Sequence, residues 1–204
     1  MALNIIDLPP NIRFRTSGWR QTGGVTYNRS AFTGATRAIR IGPAARWTCD
    51  LEIVPSTNAT VYQQTISFMA AASRHDYAVR IPMVDLAQTA TAICQTNGAN
   101  QIGETIALDG LPASTTILQP GAIITIVRNI DDEQSAVLLT PLTSNASGQA
   151  TAFLNTPMRA AVPDNCTVRL ALPRVLMRAR DALAWDVSPG LVHGFQAVSM
   201  EEVF

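Results

Sequence analysis

Apolar and polar residues alternate strictly from Arg46 to Ile53. The apolar positions are Trp47, Cys49, Leu51 and Ile53. A period of two places one set of side chains on each face of a β-strand. We therefore predict a strand that begins at Arg46, buries its apolar face and ends at Pro55.

A helical pattern follows this strand. Thr60 and Gln63 stand at the spacing of a capping box, and a single helical face comes after them. The residues of that face are Tyr62, Ile66, Met69 and Ser73. We predict one α-helix at about residues 58 to 74, and a short strand after it. That strand places Val79, Ile81 and Met83 on one side.

From about residue 88 the apolar runs are short and are separated by turn signals. Regularly spaced short strands of this kind are typical of a small antiparallel β-barrel. We predict two hairpins within it, ITIVRNIDDEQSAVLL and LLTPLTSNASGQATAFL. Gly148 lies at the tip of the second hairpin, where it can adopt a positive φ.

The end of the chain again has the pattern of strands, with turns at Asp181-Ala182 and Ser188-Pro189-Gly190. Because these strands can pair with those of residues 46 to 84, we predict that the small barrel is inserted into a first β domain. The predicted units are residues 1–91 plus 169–204, and residues 92–168. The predicted fold is therefore mainly β, with one helix and an inserted barrel.

Residues 1 to 45 mix Gly, Thr, Pro and Arg with short apolar pieces, a composition that predicts short strands joined by long loops. Long irregular segments either carry function or are ordered by neighbours. We expect residues 15 to 40 to contact other subunits, although simple flexibility would explain the same pattern.

Charge narrows the range of functions. Hydrophobic residues make up 47% of the chain and charged residues only 15%, so partners are expected to cover part of the surface. The 15 basic residues, all of them Arg, balance 15 acidic ones. This balance argues against a general nucleic-acid or membrane binder.

Cysteine usage and the N-terminus indicate where the protein is made. Cys49, Cys94 and Cys166 are far apart and show no metal-binding or disulfide spacing, which fits a reducing cytosol. The start MALNIIDLPPN does not resemble a signal peptide, and no segment has the roughly 18 apolar residues that cross a bilayer. We expect assembly in the cytoplasm and no membrane insertion.

Few residues could support catalysis. No nucleotide-binding, hydrolase or metal-site motif is present, and we predict no enzyme activity, no cofactor and no metal. His75 is expected to complement the helix C-terminus, and His193 to lie in the turn GLVHGF as a surface or packing residue. The run Asp131-Asp132-Glu133 could bind calcium, but a solvated hairpin tip explains it without any ligand and is the favoured interpretation.

Two groups of arginines are candidates for contacts with acidic surfaces on neighbouring subunits, although solvated faces would look the same. They are Arg13, Arg15 and Arg20 near the start, and Arg174, Arg178 and Arg180 near the end. Trp47 and Trp185 lie in strand patterns and are expected in the core. Trp19 lies in the predicted loop SGWRQTGG and is the better interface anchor.

Three stretches, which together span most of the chain, resemble the distal tail proteins of long-tailed bacteriophages. The first, RWTCDLEIVP with YQQTISFMAAASRHDYAVRIPM, is similar to the strand and helix of a tube-type β-sandwich or barrel. The second, GETIALDGLP, ILQPGAIITI and AVLLTPLTSNASGQATAFLNTPMRAAVPDNCTVRL, is similar to an inserted barrel. The third, RVLMRARDALAWDVSPGLVHGFQAVSMEEV, resembles strands that return to the first domain.

The resemblance implies a structural virion protein that forms a ring of six copies at the distal end of the tail. Such a ring joins the tail tube protein to the tip or hub and contacts the tape-measure protein. DNA passes through its channel without being held, so no specific nucleic-acid binding is expected. The virion tail is the implied location.

Three alternatives remain open from the sequence. The inserted barrel could be a receptor- or carbohydrate-binding accessory module. The chain could be another tail tube or terminator component. It could also be a hydrolase of cell-envelope polymers, although a convincing acid and base pair is missing from the sequence.

Overall fold

The described part of the chain is mainly β and contains one α-helix, as the sequence predicted. The computed structural model describes residues 3–23, 25–40, 45–83, 88, 90, 93–181, 185–188 and 192–203. Strands and the helix are numbered here in chain order.

The first sheet has six strands. In spatial order they are β1 (Asn4–Asp7), β6 (Tyr77–Pro82), β15 (Arg174–Ala179), β18 (Val198–Glu202), β5 (Arg46–Ile53) and β2 (Phe14–Thr22). The β1 and β6 pair is parallel and all other neighbouring pairs are antiparallel. The predicted strands after Arg46 and around Ile81 are therefore confirmed. β1 and β2 form the two edges of the sheet.

The second sheet also has six strands, all from the segment between β6 and β15. In spatial order they are β11 (Asp132–Val137), β10 (Ile123–Asn129), β14 (Thr167–Arg169), β7 (Ile93–Thr96), β8 (Thr105–Asp109) and β13 (Ala150–Phe153). A short pair, β9 (Thr116–Leu118) and β12 (Leu142–Thr143), accompanies it. The sheet curls until its ends meet at an isolated bridge between Leu138 and Leu154.

Two further hairpins lie outside both sheets. β3 (Val25–Arg29) pairs with β4 (Thr36–Arg40), and β16 (Trp185–Ser188) pairs with β17 (Val192–Phe195). Within the described part of residues 1 to 45 the predicted short strands are present. The prediction that long loops join them is wrong between residues 14 and 40, because β2 and the β3–β4 hairpin occupy most of that segment. His193 lies within a strand and not in a turn. Ala182, Pro189 and Gly190 of the predicted turns, and the side chains of Trp185 and His193, lie outside the described residues.

Helix α1 (Ala59–Ala72) lies within the predicted range, but its cap and its buried face differ from those predicted. The Asn58 side-chain oxygen accepts hydrogen bonds from the backbone N–H groups of Thr60 and Val61, at 2.9 and 3.3 Å. Asn58, and not Thr60, is therefore the N-cap. The buried residues are Thr65, Phe68, Met69, Ala71 and Ala72, whereas Ser73 is exposed.

Each sheet encloses an apolar core. Alternate residues of β5 pack with Phe68 and Met69 of the helix in the first core. Ile106, Ile126 and Leu154 are among the buried residues of the second core. The alternation of apolar residues in the sequence therefore predicted the buried face of β5 correctly.

The first predicted hairpin of the second sheet is confirmed, because β10 and β11 pair antiparallel. The second hairpin is only partly correct. Its turn is present, with the Gly148 N–H donating to the Asn145 carbonyl at 3.1 Å and Gly148 at φ 72°. The flanking strands, however, pair with β9 and β8 and not with each other.

Buried polar contacts join the two sheets. Glu133 of β11 has a fully buried side chain and forms ion pairs with Arg80 of β6 and Arg174 of β15. The Trp47 indole N–H also donates to the Ser135 carbonyl at 2.8 Å. The expectation that Asp131 to Glu133 form a solvated hairpin tip is therefore wrong for Glu133.

Candidate interaction surface

The tip of the β3–β4 hairpin is exposed. All residues from Asn28 to Arg37 are exposed, and among the described strands β3 is hydrogen-bonded only to β4. Two paired strands gain stability by packing against other structure. The exposed tip is therefore accessible for packing against another molecule.

The tip of this hairpin presents an aromatic ring to solvent. The turn is closed by the Ser30 N–H, which donates to the Ala35 carbonyl at 2.9 Å, and Gly34 adopts φ 68°. The Phe32 side chain is 100% exposed. Covering a phenylalanine side chain contributes about 1.5–3 kcal/mol, so this ring favours association.

Strand β2 forms an edge of the first sheet and carries predicted interface residues. Its pairing with β5 is interrupted between Ser17 and Arg20, where Gly18 has φ 64°. A Cβ atom at Gly18 would lie 3.1 Å from the Asp50 carboxylate. Irregularities of this kind limit uncontrolled pairing at sheet edges. Arg13, Arg15 and Arg20 are all exposed along this edge, as a contact surface requires.

Trp19 lies within β2, so the expectation that it occupies a loop is wrong. Its ring is partly buried and meets Trp47 edge to face, with 6.2 Å between the ring centroids. The indole N–H of Trp19 donates to the Thr16 hydroxyl at 3.2 Å. Trp47 is buried, which confirms its predicted place in the core. Trp19 is therefore part of the packing at the sheet edge and has limited free surface.

The second arginine group does not act as one surface. Arg174 is bound to buried Glu133, with its Nε 2.7 Å from the carboxylate, and so joins the two sheets. Arg178 and Arg180 lie nearer the surface and share Glu201, at 2.9 and 3.6 Å. We therefore separate Arg174, a structural residue, from Arg178 and Arg180, which remain accessible.

A depression of about 430 Å³ brings His75 together with Arg178, Arg180 and Glu201. His75 follows the helix but lies beyond its C-cap, Ser73. This grouping could not be predicted from the sequence because His75 and Glu201 are far apart in the chain. The Glu201 carboxylate is paired with both arginines, and His75 lies in the same depression.

A second concave surface, of about 450 Å³, lies on the second sheet and is mainly lined by neutral polar groups. Ala107 and Leu108 of β8 form its apolar part. The polar lining residues are Asn97, Thr143, Ser144, Asn145, Gln149 and Thr151. Hydroxyl and amide groups of this kind suit a neutral polar ligand.

The thiols of this protein are protected. All three cysteines are free and buried, and burial raises the pKa of Cys49 and of Cys94 to about 12. Thiols with such a pKa are largely protonated at neutral pH and are poor nucleophiles.

Among the described residues, no group of three or more His, Cys, Asp or Glu side chains could hold a metal ion. The part of the chain with assigned structure also has no helix long and apolar enough to span a membrane.

No family model and no curated protein sequence matches this chain.

Proposed function

We propose that this chain is a structural protein of a bacteriophage tail, which assembles with copies of itself into a ring at the distal end of the tail. In that position it joins the tail tube protein to the tip or hub proteins and contacts the tape-measure protein. The resemblance of three stretches of sequence to distal tail proteins is the basis for the phage assignment.

The single observation that best supports self-assembly is the exposed tip of the β3–β4 hairpin, where Phe32 is fully exposed. A heterologous contact between one copy and the next can cover such an element, and repetition of that contact closes a ring. The edge strand β2 offers a further surface with exposed Arg13 and Arg15. Assembly therefore explains surface features that an isolated chain leaves uncovered.

Size-exclusion chromatography with light scattering tests the proposal directly. A ring predicts a discrete mass that is a multiple of the 21.9-kDa chain, and that keeps its value when the protein is diluted moderately. Purified tails should also contain the protein at a fixed copy number. A monomer at high concentration that is absent from tails would contradict the proposed function.

A second candidate function is binding of a receptor or carbohydrate by the second sheet. The neutral polar groove around Ala107 and Thr151 favours it. Substitution Ala107→Arg would fill the groove with a charged side chain. Tails that assemble normally with this variant but no longer adsorb to cells would support the binding function over a purely structural one.

A further inference from the structure

One loop of the second sheet contains an asparagine whose side chain is open to chemical modification. Asn97-Gly98 is the single Asn-Gly dipeptide of the sequence, and it directly follows β7. In such a dipeptide the glycine backbone nitrogen can reach the asparagine side-chain carbonyl carbon, because glycine has no side chain to hinder the approach. Asn97 is partly exposed and Gly98 is exposed. The dipeptide therefore has the sequence and the solvent access that deamidation requires.

Deamidation of an Asn-Gly dipeptide has two steps. The Gly98 nitrogen loses its proton to solvent and forms a bond with Asn97 Cγ, while the Cγ–Nδ2 bond breaks and the amide nitrogen takes a proton from solvent and leaves as ammonia. Water then opens the resulting succinimide ring and leaves aspartate or isoaspartate at residue 97. The rate therefore depends on how easily the Gly98 N–H loses its proton and on how freely the loop bends into the ring.

The Gly98 N–H is bound to a carboxylate. It donates to Asp164 Oδ1 at 2.7 Å, and the second Asp164 oxygen accepts from Asn165 Nδ2 at 3.1 Å. The hydrogen bond stabilises the protonated nitrogen, and the negative charge of the carboxylate opposes the formation of an amide anion beside it. Asp164 therefore holds back the nitrogen that must attack.

The loop is also held in place by the Gln101 side chain. Its Nε2 donates to the carbonyl oxygens of Asn97 and Gly98, at 3.1 and 3.0 Å. Its Oε1 accepts from the Ala107 N–H at 2.6 Å, and the Asn97 N–H donates to the Ala107 carbonyl at 2.9 Å. Because ring closure requires rotation about the Asn97 Cα–C bond, these hydrogen bonds oppose it.

We propose that Asn97 is a deamidation site that the Asp164 carboxylate keeps unreactive in the folded chain. Asn97 lines the groove of about 450 Å³ on the second sheet, whose lining side chains are all neutral. Deamidation replaces the amide with a carboxylate and so adds a negative charge to this groove. Asp164 therefore preserves the neutral surface of the groove.

Incubation of the full-length protein at neutral pH, followed by peptide mapping with mass spectrometry, measures the deamidation rate at Asn97. Asp164→Ala should raise this rate by roughly 10- to 100-fold, because it removes a hydrogen bond to a charged group. Asp164→Asn keeps an acceptor without the charge and should give an intermediate rate. Asp181→Ala is the matched control, since it removes an exposed aspartate after β15 of the first sheet, and it should react at the wild-type rate.

Urea separates protection by the fold from the chemistry of the dipeptide. In urea every protein should deamidate at the same, faster rate, because the bond between Gly98 and Asp164 no longer forms. A wild type that reacts as fast in buffer as in urea would overturn the proposal.

Circular dichroism checks that each variant folds in buffer, and Asp164→Asn replaces Asp164→Ala if the latter does not. Hydrogen exchange should increase around Gly98 and stay unchanged in β10. An increase throughout the chain would assign the faster deamidation to unfolding and contradict the proposal. A folded Asp164→Ala variant that deamidates no faster than the wild type would also contradict it.

Discussion

Glu133 offers the sharpest test of how the two sheets are held together. Its carboxylate is fully buried and lies 3.0 Å from the Arg80 Nε and 2.7 Å from the Arg174 Nε. Substitution Glu133→Gln keeps the shape of the side chain but removes the charge that both guanidinium groups face. Breaking a buried ion pair in this way costs about 3–5 kcal/mol, because the remaining charges stay desolvated.

Glu201→Gln, on strand β18 of the first sheet, provides a matched control. Glu201 also faces two arginines, Arg178 and Arg180, but its side chain is 21% exposed and solvent screens the pairs. The expected loss is about 1 kcal/mol or less. For a chain of this size each kcal/mol lowers Tm by about 2–4 °C, so Glu133→Gln should lower Tm by roughly 10 °C.

Differential scanning calorimetry and urea unfolding of both variants measure these losses. The Glu133 variant should lose at least three times as much free energy of unfolding as the Glu201 variant. Equal losses would refute the claim that the buried carboxylate joins the sheets.

Three further stability predictions follow from single positions. Gly148→Ala should lower the free energy of unfolding by about 3 kcal/mol, because φ is 72° and the new Cβ would overlap the Leu111 carbonyl. Gly121→Ala, at φ 86° but in open space, should lower it by only about 1 kcal/mol. Thermal unfolding measures both losses. Asn58→Ala should lower the free energy of unfolding by about 1 kcal/mol because the helix loses its N-cap, whereas Thr60→Ala should leave it almost unchanged. Urea unfolding compares the two variants. A larger loss for Thr60→Ala would identify Thr60 as the cap. Burial raises the pKa of Glu202 above its ordinary value despite the nearby Arg159. The stability contributed by this group is therefore complete below the ordinary value of 4.5 and is lost as pH rises through the raised pKa. In urea unfolding from pH 4 to 8, the free energy of unfolding of the wild type should fall relative to that of Glu202→Gln as pH increases. A difference between the two proteins that stays constant with pH would contradict the raised pKa of Glu202.

The parts of the fold that the sequence predicted are those set by local periodicity. The alternation in β5 and the helical segment near residue 60 identify their elements because burial of one face imposes a fixed spacing. The hairpin β10–β11 was recognisable for the same reason, together with its polar turn. The helix cap was misassigned because Asn58 and Thr60 are both capping residues, and only the start of the helix decides between them.

The features that the sequence did not predict depend on contacts between distant residues. Glu133 appeared to lie at a solvated tip because its neighbours Asp131 and Asp132 are acidic, yet Arg80 and Arg174 enclose it from the other sheet. Trp19 appeared to lie in a loop because glycines surround it. The edge strand that contains it is irregular, and an irregular strand has no strict alternation to detect.

Contact with other subunits through residues 15 to 40 stays a prediction. The hairpin within this segment was not predicted from the sequence. The exposure of Phe32 could not be predicted, because the sequence does not show whether a single aromatic residue in a polar segment is exposed or packs on the core. Its full exposure is a property of the tertiary structure.

The central claim is that copies of this chain close into a ring, and electron cryomicroscopy of the purified protein tests it most directly. The account predicts two-dimensional class averages with closed rotational symmetry, a central channel and the β3–β4 hairpin of each copy in contact with its neighbour. Particles the size of a single 21.9-kDa chain, or open aggregates without symmetry, would contradict it.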